Sequence, residues 1–141
     1  MSDTRLSRPL SDADIVLRLA IVALTLATAY IHLTLGGLLF ALTAFGFGAF
    51  AVALIVPIAL AERFRWLVRL GLIAYTLSVI GGWVVDGARY DVAYISKAIE
   101  VALIALLAVD FARRDGNPID LIRRELRALL ARPRGPASGR A

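Results

Sequence analysis

The chain has 141 residues, 60% of them hydrophobic, with a mean hydropathy of +0.77, well above the roughly 45–50% apolar content of a soluble domain. A water-soluble fold this small has too much surface to hide that much apolar side chain, so the excess is expected to face lipid. The absence of cysteine excludes disulfides, cysteine-ligated metals and thiol chemistry, and 16 basic against 11 acidic residues give +5, a charge whose placement along a membrane chain matters more than its sum.

In chain order, residues 1–14 form a polar segment, expected to be mobile over Met1 to Pro9 and cytoplasmic. Ser11 and Asp14 have the spacing of a capping box, which predicts a helix beginning near Asp12. Four apolar runs follow, at about 15–35, 38–60, 66–85 and 92–111, each near the ~20 residues a helix needs to cross the hydrocarbon. The first carries Ala27-Thr28-Ala29 behind Arg5 and Arg8, which mimics a signal-peptide cleavage site. The apolar run continues past it, and the segment is read as a retained span. Gly36-Gly37 is a turn that ends one helix and opens the next. The second span holds the small residues Ala44, Gly46 and Gly48, which let a neighbouring helix approach closely, and Pro57 is expected to bend its far end. Glu62 to Arg65 form the next connection, Gly81 and Gly82 give the third span a second narrow surface, and residues 86–91 lead into the fourth. Such short connections make consecutive helices antiparallel neighbours. After Gly116, Asn117 is a reasonable N-cap and Pro118 suits a first helical position. Ile119, Ile122, Leu126, Leu129 and Leu130 recur at helical spacing, with Arg123, Arg124 and Arg127 largely on the other side. Residues 117–132 are therefore expected to form an amphipathic helix on anionic headgroups. The Pro-, Gly- and Arg-rich residues 133–141 are expected to be disordered.

The expected class is thus all-α: a polytopic membrane protein with four transmembrane helices, arranged as two antiparallel hairpins, plus a short interfacial helix. Fourteen of the 16 basic residues fall near the two ends of the chain or around the second connection, with Arg18 and Arg69 at the near ends of their spans, and only Arg89 and Lys97 fall on the other side. Basic flanks stay on the cytoplasmic side, so the chain is expected in a cell membrane with both termini inside. The positive excess is then a topology signal, and no nucleic-acid partner is expected. At an offset of 51, residues 18–26 align with 69–77 with five of nine identical. That match raises a duplicated hairpin, and the same offset would carry the second span onto the fourth.

Lys97 and Glu100 are the most informative residues. They lie three apart inside the fourth span, on one helix face, where an unpaired charge costs at least ~2.5–3.5 kcal/mol. They serve either as a proton, ion or quinone site, or as an ion pair that fixes packing. Tyr30, His32, Asp86 and Tyr94 are expected near the same depth, so a polar cluster is predicted at the outer face. It could meet a quinone headgroup or, through His32, a haem. It could equally be an interfacial aromatic belt with one hydrated histidine. No nucleophile, base and orienting group can be assembled from the chain, so catalysis is not expected, nor is a metal or other cofactor required. The leading expectation is an accessory or assembly subunit of a larger membrane complex, or a homo-oligomer, held through the small-residue faces and the Lys97–Glu100 pair. The alternatives are a quinone- or haem-binding redox module and an oligomeric transporter or channel that uses Glu100 as a proton-linked carboxylate.

Overall fold

A computed structural model of the protein describes residues 11–56, 64–114, 116 and 118–131. Within them the chain is all-helical: α1 (Asp12–Leu35), α2 (Leu38–Ile55), α3 (Arg65–Asp86), α4 (Asp91–Arg114) and α5 (Pro118–Leu130). The first four are long and apolar enough to cross a membrane. Expectations for residues 1–10, Pro57, Glu62, Asn117 and the tail from residue 132 lie outside the described residues.

Local chemistry sets the helix ends. The Asp14 amide donates to the Ser11 hydroxyl at 3.3 Å and the Ser11 amide donates to the Asp14 carboxylate at 3.2 Å, so α1 opens on a capping box. Gly36 and Gly37 take φ of +72° and +87°, left-handed values that glycine alone adopts without a Cβ penalty, and they turn α1 into α2. The second helix stops at Ile55, short of the expected residue 60. Val56 is extended, with φ −62° and ψ 121°, because the ring of a following proline disfavours the helical region for the residue before it. At the other extreme, α4 runs to Arg114, where Arg113 and Arg114 lie at its negative end.

α1 packs against α2 and α4, and α3 packs against the same two, so four helices close a ring around one core. Each helix turns a single stripe inward: Leu17, Ile21, Thr25, Thr28 and His32 from α1; Ala44, Phe47 and Ala51 from α2; Arg69, Leu72 and Thr76 from α3. The stripe of α4 is apolar in its middle, at Leu103 and Leu107, and polar at both ends, at Ser96 and Glu100 and at Asp110. The threonines fit this interior because Thr25 and Thr76 donate to the carbonyls of Ile21 and Leu72, each at 2.7 Å, which satisfies the hydroxyl within its own helix. Outward, large apolar side chains such as Val16, Leu19, Phe45, Leu77 and Val85 stay exposed.

The offset of 51 holds for one pair of helices and fails for the other. Ile21 and Leu72 are both buried, as are Thr25 and Thr76. Ala44, Phe47 and Ala51 are buried in α2, whereas their counterparts Ile95, Ala98 and Ala102 are exposed in α4. The shared residues of α1 and α3 answer the same local demand, a hydroxyl bonded one turn back in an apolar helix, and that demand does not extend to α2 and α4. In α5, Ile119, Ile122, Leu126 and Leu130 remain exposed, as do Arg123, Arg124 and Arg127.

Candidate functional site

Glu100 is fully buried, and its carboxylate is the hub of one end of the core. Lys97 donates to both of its oxygens at 2.7 Å, and the Ser96 hydroxyl donates to Oε1 at 3.0 Å. His32 reaches the same oxygen from α1, with Nε2 at 3.8 Å. The other ring nitrogen, Nδ1, lies 2.9 Å from the Thr28 carbonyl. A carbonyl oxygen can only accept, so Nδ1 carries the proton there, and Nε2 is the ring nitrogen turned toward Glu100. One turn away the Thr28 hydroxyl is buried with no hydrogen-bond partner among the described residues.

A cavity of about 530 Å³ opens beside this cluster and draws on all four long helices. His32, Ser96 and Lys97 form one part of its wall, and Phe40, Tyr75, Trp83 and Tyr90 supply aromatic surface. Tyr75 is held by donating to the Thr43 carbonyl at 3.1 Å and by the edge of Phe47, 5.0 Å between ring centres. Trp83 stands at the turn between α3 and α4. Its indole N–H donates to the Ala88 carbonyl at 2.9 Å, the Arg89 guanidinium lies 4.2 Å from its ring centre, and Tyr94 meets it edge-on. Gly87 is required there for space, since a Cβ would run into the Trp83 ring.

The structure therefore brings His32, Lys97 and Glu100 together and sets Asp86 on the same cavity wall. Tyr30 points away, 68% exposed, and Tyr94 supports Trp83 from outside the cavity. The small residues divide likewise. Ala44 is buried, and Gly46 leaves the room that the Tyr75 hydroxyl occupies, whereas Gly48, Gly81 and Gly82 have open space where a Cβ would stand.

A second polar cluster lies at the opposite end of the bundle. Asp110 is buried and pairs with Arg69 of α3 at 2.7 Å and with Arg114 one turn on at 2.8 Å. Arg113 and Arg114 approach Asp14 of α1 at 3.4 and 3.8 Å. Ten residues separate Glu100 from Asp110, about 15 Å along a helix, so α4 carries a buried carboxylate near each end. Sequence reasoning passed over Asp110 because it closes an apolar run. Its signal was Arg114 four residues later, the spacing of a helical ion pair. Ser96 gave a similar signal, four residues before Glu100.

Among the described residues no three His, Cys, Asp or Glu side chains gather as a metal would need. Comparison with protein-family models, with curated proteins and with solved structures finds no match to the chain.

Proposed function

We propose that the protein is a four-span membrane protein, built from two antiparallel hairpins with both termini cytoplasmic, that binds a flat, oxygen-bearing lipophile of the quinone or quinol class in the cavity beside Glu100. The membrane reading is supported by an inverted distribution of side chains: Thr25, Thr28, His32, Ser96 and Glu100 lie inside, while leucine, valine and phenylalanine cover the outside. Water would reward the opposite arrangement. The hairpins are supported by contacts that step in opposite directions along neighbours. His32 meets Phe40 while Leu19 and Ile55 share one cavity wall, and Trp83 meets Tyr94 while Arg69 pairs with Asp110. The basic residues of the termini and second connection then mark the cytoplasmic side, which turns the His32 end outward.

The observation that carries the ligand is the joint presence of the His32 imidazole and of Lys97 Nζ, a donor, on one wall of a cavity otherwise rich in aromatic rings. Its volume lies within the ~300–1,000 Å³ usual for small-molecule sites, and a few placed polar groups in an apolar cleft are what orient such ligands. A quinol hydroxyl would meet the imidazole, a quinone carbonyl would accept from Nζ, and Phe40 and Trp83 would flank the ring. Haem draws less support, because the chain has a single histidine and would leave the second axial position to another subunit or open. An assembly role through the Lys97–Glu100 pair is also less well served, since Glu100 is wholly internal. A transport role for Glu100 draws no support beyond its burial.

Trp83 lines the cavity and Trp66 does not, so Trp66→Phe leaves one reporter in place. A short-chain quinone is expected to quench Trp83 fluorescence saturably in that variant, and His32→Ala and Lys97→Met are expected to weaken binding by about tenfold each, the loss of one hydrogen bond to a buried polar or charged group. Unsaturable quenching, together with an organic extract of the purified protein free of quinone, would reject the ligand.

A further inference from the structure

The cavity beside Glu100 has two openings of opposite character. One, at the turn between α3 and α4, is edged by the exposed Asp86 and Tyr90. The other lies on the flank of the bundle, between α2 and α3. Elsewhere the wall is shut: His32, Ala93 and Ser96 are buried between α1 and α4. Toward the middle of the bundle Phe47, Leu72 and Leu103 are fully buried. They separate this cavity from a smaller one of about 310 Å³ at the Arg69 end, and among the described residues the two share no lining side chain. The seam between α2 and α3 changes along its length. In its inner half a Cβ on Gly71 would stand 3.2 Å from the Phe50 ring, Gly46 leaves the room that the Tyr75 hydroxyl occupies, and Phe50 and Tyr75 lie 5.6 Å apart between ring centres. In its outer half the seam is open. Leu39 and Phe40 of α2 are 74% and 37% exposed, Ser78 and Gly82 of α3 are exposed as well, and all four line the cavity. A Cβ on Gly82 would meet nothing within 4 Å.

We infer that the gap between the outer halves of α2 and α3 is the route by which the ligand enters from the bilayer, and that the ligand is an isoprenoid quinone whose tail stays in this gap while its ring lies in the cavity. The inference rests on the quinone reading and adds the tail and the route to it. With the ring oxygens at His32 and Lys97, a chain on the ring has three ways to run. The core is closed to it by Phe47, Leu72 and Leu103. Past Asp86 and Tyr90 it would meet water, which an apolar chain avoids. Between α2 and α3 it meets Leu39, Phe40 and Val79 and then the apolar outer surface of the bundle. Ser78 and Gly82, four residues apart on one edge of α3, keep that gap wide because their side chains are small. The Ser78 hydroxyl donates to the Ala74 carbonyl of its own helix at 2.9 Å, so it presents no unpaired donor to a passing chain.

The test measures quenching of Trp83 in the full chain in detergent, with Trp66→Phe as the parent, by two ligands that share a ring. One is dimethylnaphthoquinone, which has no tail, and the other is its homologue with a tetraprenyl chain in place of one methyl group. Each ligand is compared only with itself across variants, which cancels its partition into the micelle. Gly82→Leu and Ser78→Leu fill the gap from one edge and remove no bond between helices. Each is expected to weaken binding of the prenylated quinone by about tenfold, the effect of overpacking its path, and to leave the tail-less quinone within about twofold of the parent. Gly81→Leu puts the same side chain one residue away, at a position that does not line the cavity, and is expected to change neither ligand. Melting temperatures close to the parent's would show that the variants fold, and either filled variant suffices if the other does not. Should the tail-less quinone fail to quench the parent saturably, the quinone reading falls and the route falls with it. Should it bind, the route alone is overturned if the filled variants hold the prenylated quinone as tightly as the parent, if they lose both ligands equally, or if Gly81→Leu matches Gly82→Leu.

Discussion

Glu100 shows how much one side chain depends on its neighbours. Its carboxylate is stabilised inside an apolar bundle because Lys97 and Ser96 supply three donated bonds. Glu100→Ala would leave Lys97 charged beside an apolar core, and removing one member of a buried pair costs about 3–5 kcal/mol. Replacing both, as Lys97→Met with Glu100→Leu, is expected to restore much of that stability, since well-packed apolar pairs often match a buried ion pair. Thermal melts of the single and double variants would measure the coupling, and additive losses would show that the two charges do not depend on each other. The outer tyrosines offer a contrast: Tyr30→Phe is expected to leave both stability and quinone binding unchanged, because the ring is turned away from the cavity. The charged pair is legible in the sequence because two ionisable groups interrupt an apolar run. Ser96 and Thr28 were harder to read, because a hydroxyl in an apolar helix can bond its own backbone and leaves little trace in hydropathy.

At the scale of the helix, small residues of one composition take different parts. Gly46 stands where the Tyr75 hydroxyl crosses to α2, and Gly48, two residues on, faces open space. Gly46→Ala should displace Tyr75 from Thr43 and cost about 1–3 kcal/mol as an overpacked contact. Gly48→Ala should be neutral or slightly stabilising, since alanine favours a helix interior over glycine. A melt of the two variants side by side would check the pair of outcomes, and equal effects would contradict the packing described. Helix α5 makes its own prediction. With Ile119, Ile122 and Leu126 exposed alongside three arginines, a synthetic peptide of residues 117–132 should bind vesicles containing phosphatidylglycerol. The Arg123→Gln, Arg124→Gln, Arg127→Gln form should bind more weakly by about 1 kcal/mol for each charge removed. Vesicle sedimentation at low and high salt would read both numbers. The helix starts, the glycine turn and the amphipathic tail were all legible beforehand, because caps, glycine and period 3.6 act over a few residues. The stop at Ile55 departs from the expected end near residue 60 because a following proline restricts the residue before it.

Across the whole molecule, two buried carboxylates bracket an apolar middle, and each ties α4 to other helices. Asp110→Ala would remove the buried carboxylate that pairs with Arg69, itself only 3% exposed, and is expected to destabilise the bundle by about 3–5 kcal/mol. Asp110→Asn should cost less, because the amide keeps an acceptor for the guanidinium. The absence of cysteine makes topology directly measurable. Single cysteines placed at Gly37 or Ala88 should react with a membrane-impermeant maleimide from outside intact cells, and one at Gly116 only after the membrane is opened. Labelling of all three alike would refute the four-span topology.

Composition, the four long apolar helices, the capping box and the glycine turn could be read from the amino acids in order, because hydropathy, capping and glycine turns are local and nearly additive along the chain. The pairing of Glu100 with His32, of Asp110 with Arg69, and the two cavities could not. They depend on how each helix is rotated about its own axis and on which helix lies beside it. That setting comes from packing four stripes against one another at once, and a hydropathy pattern carries no record of which stripe will face which.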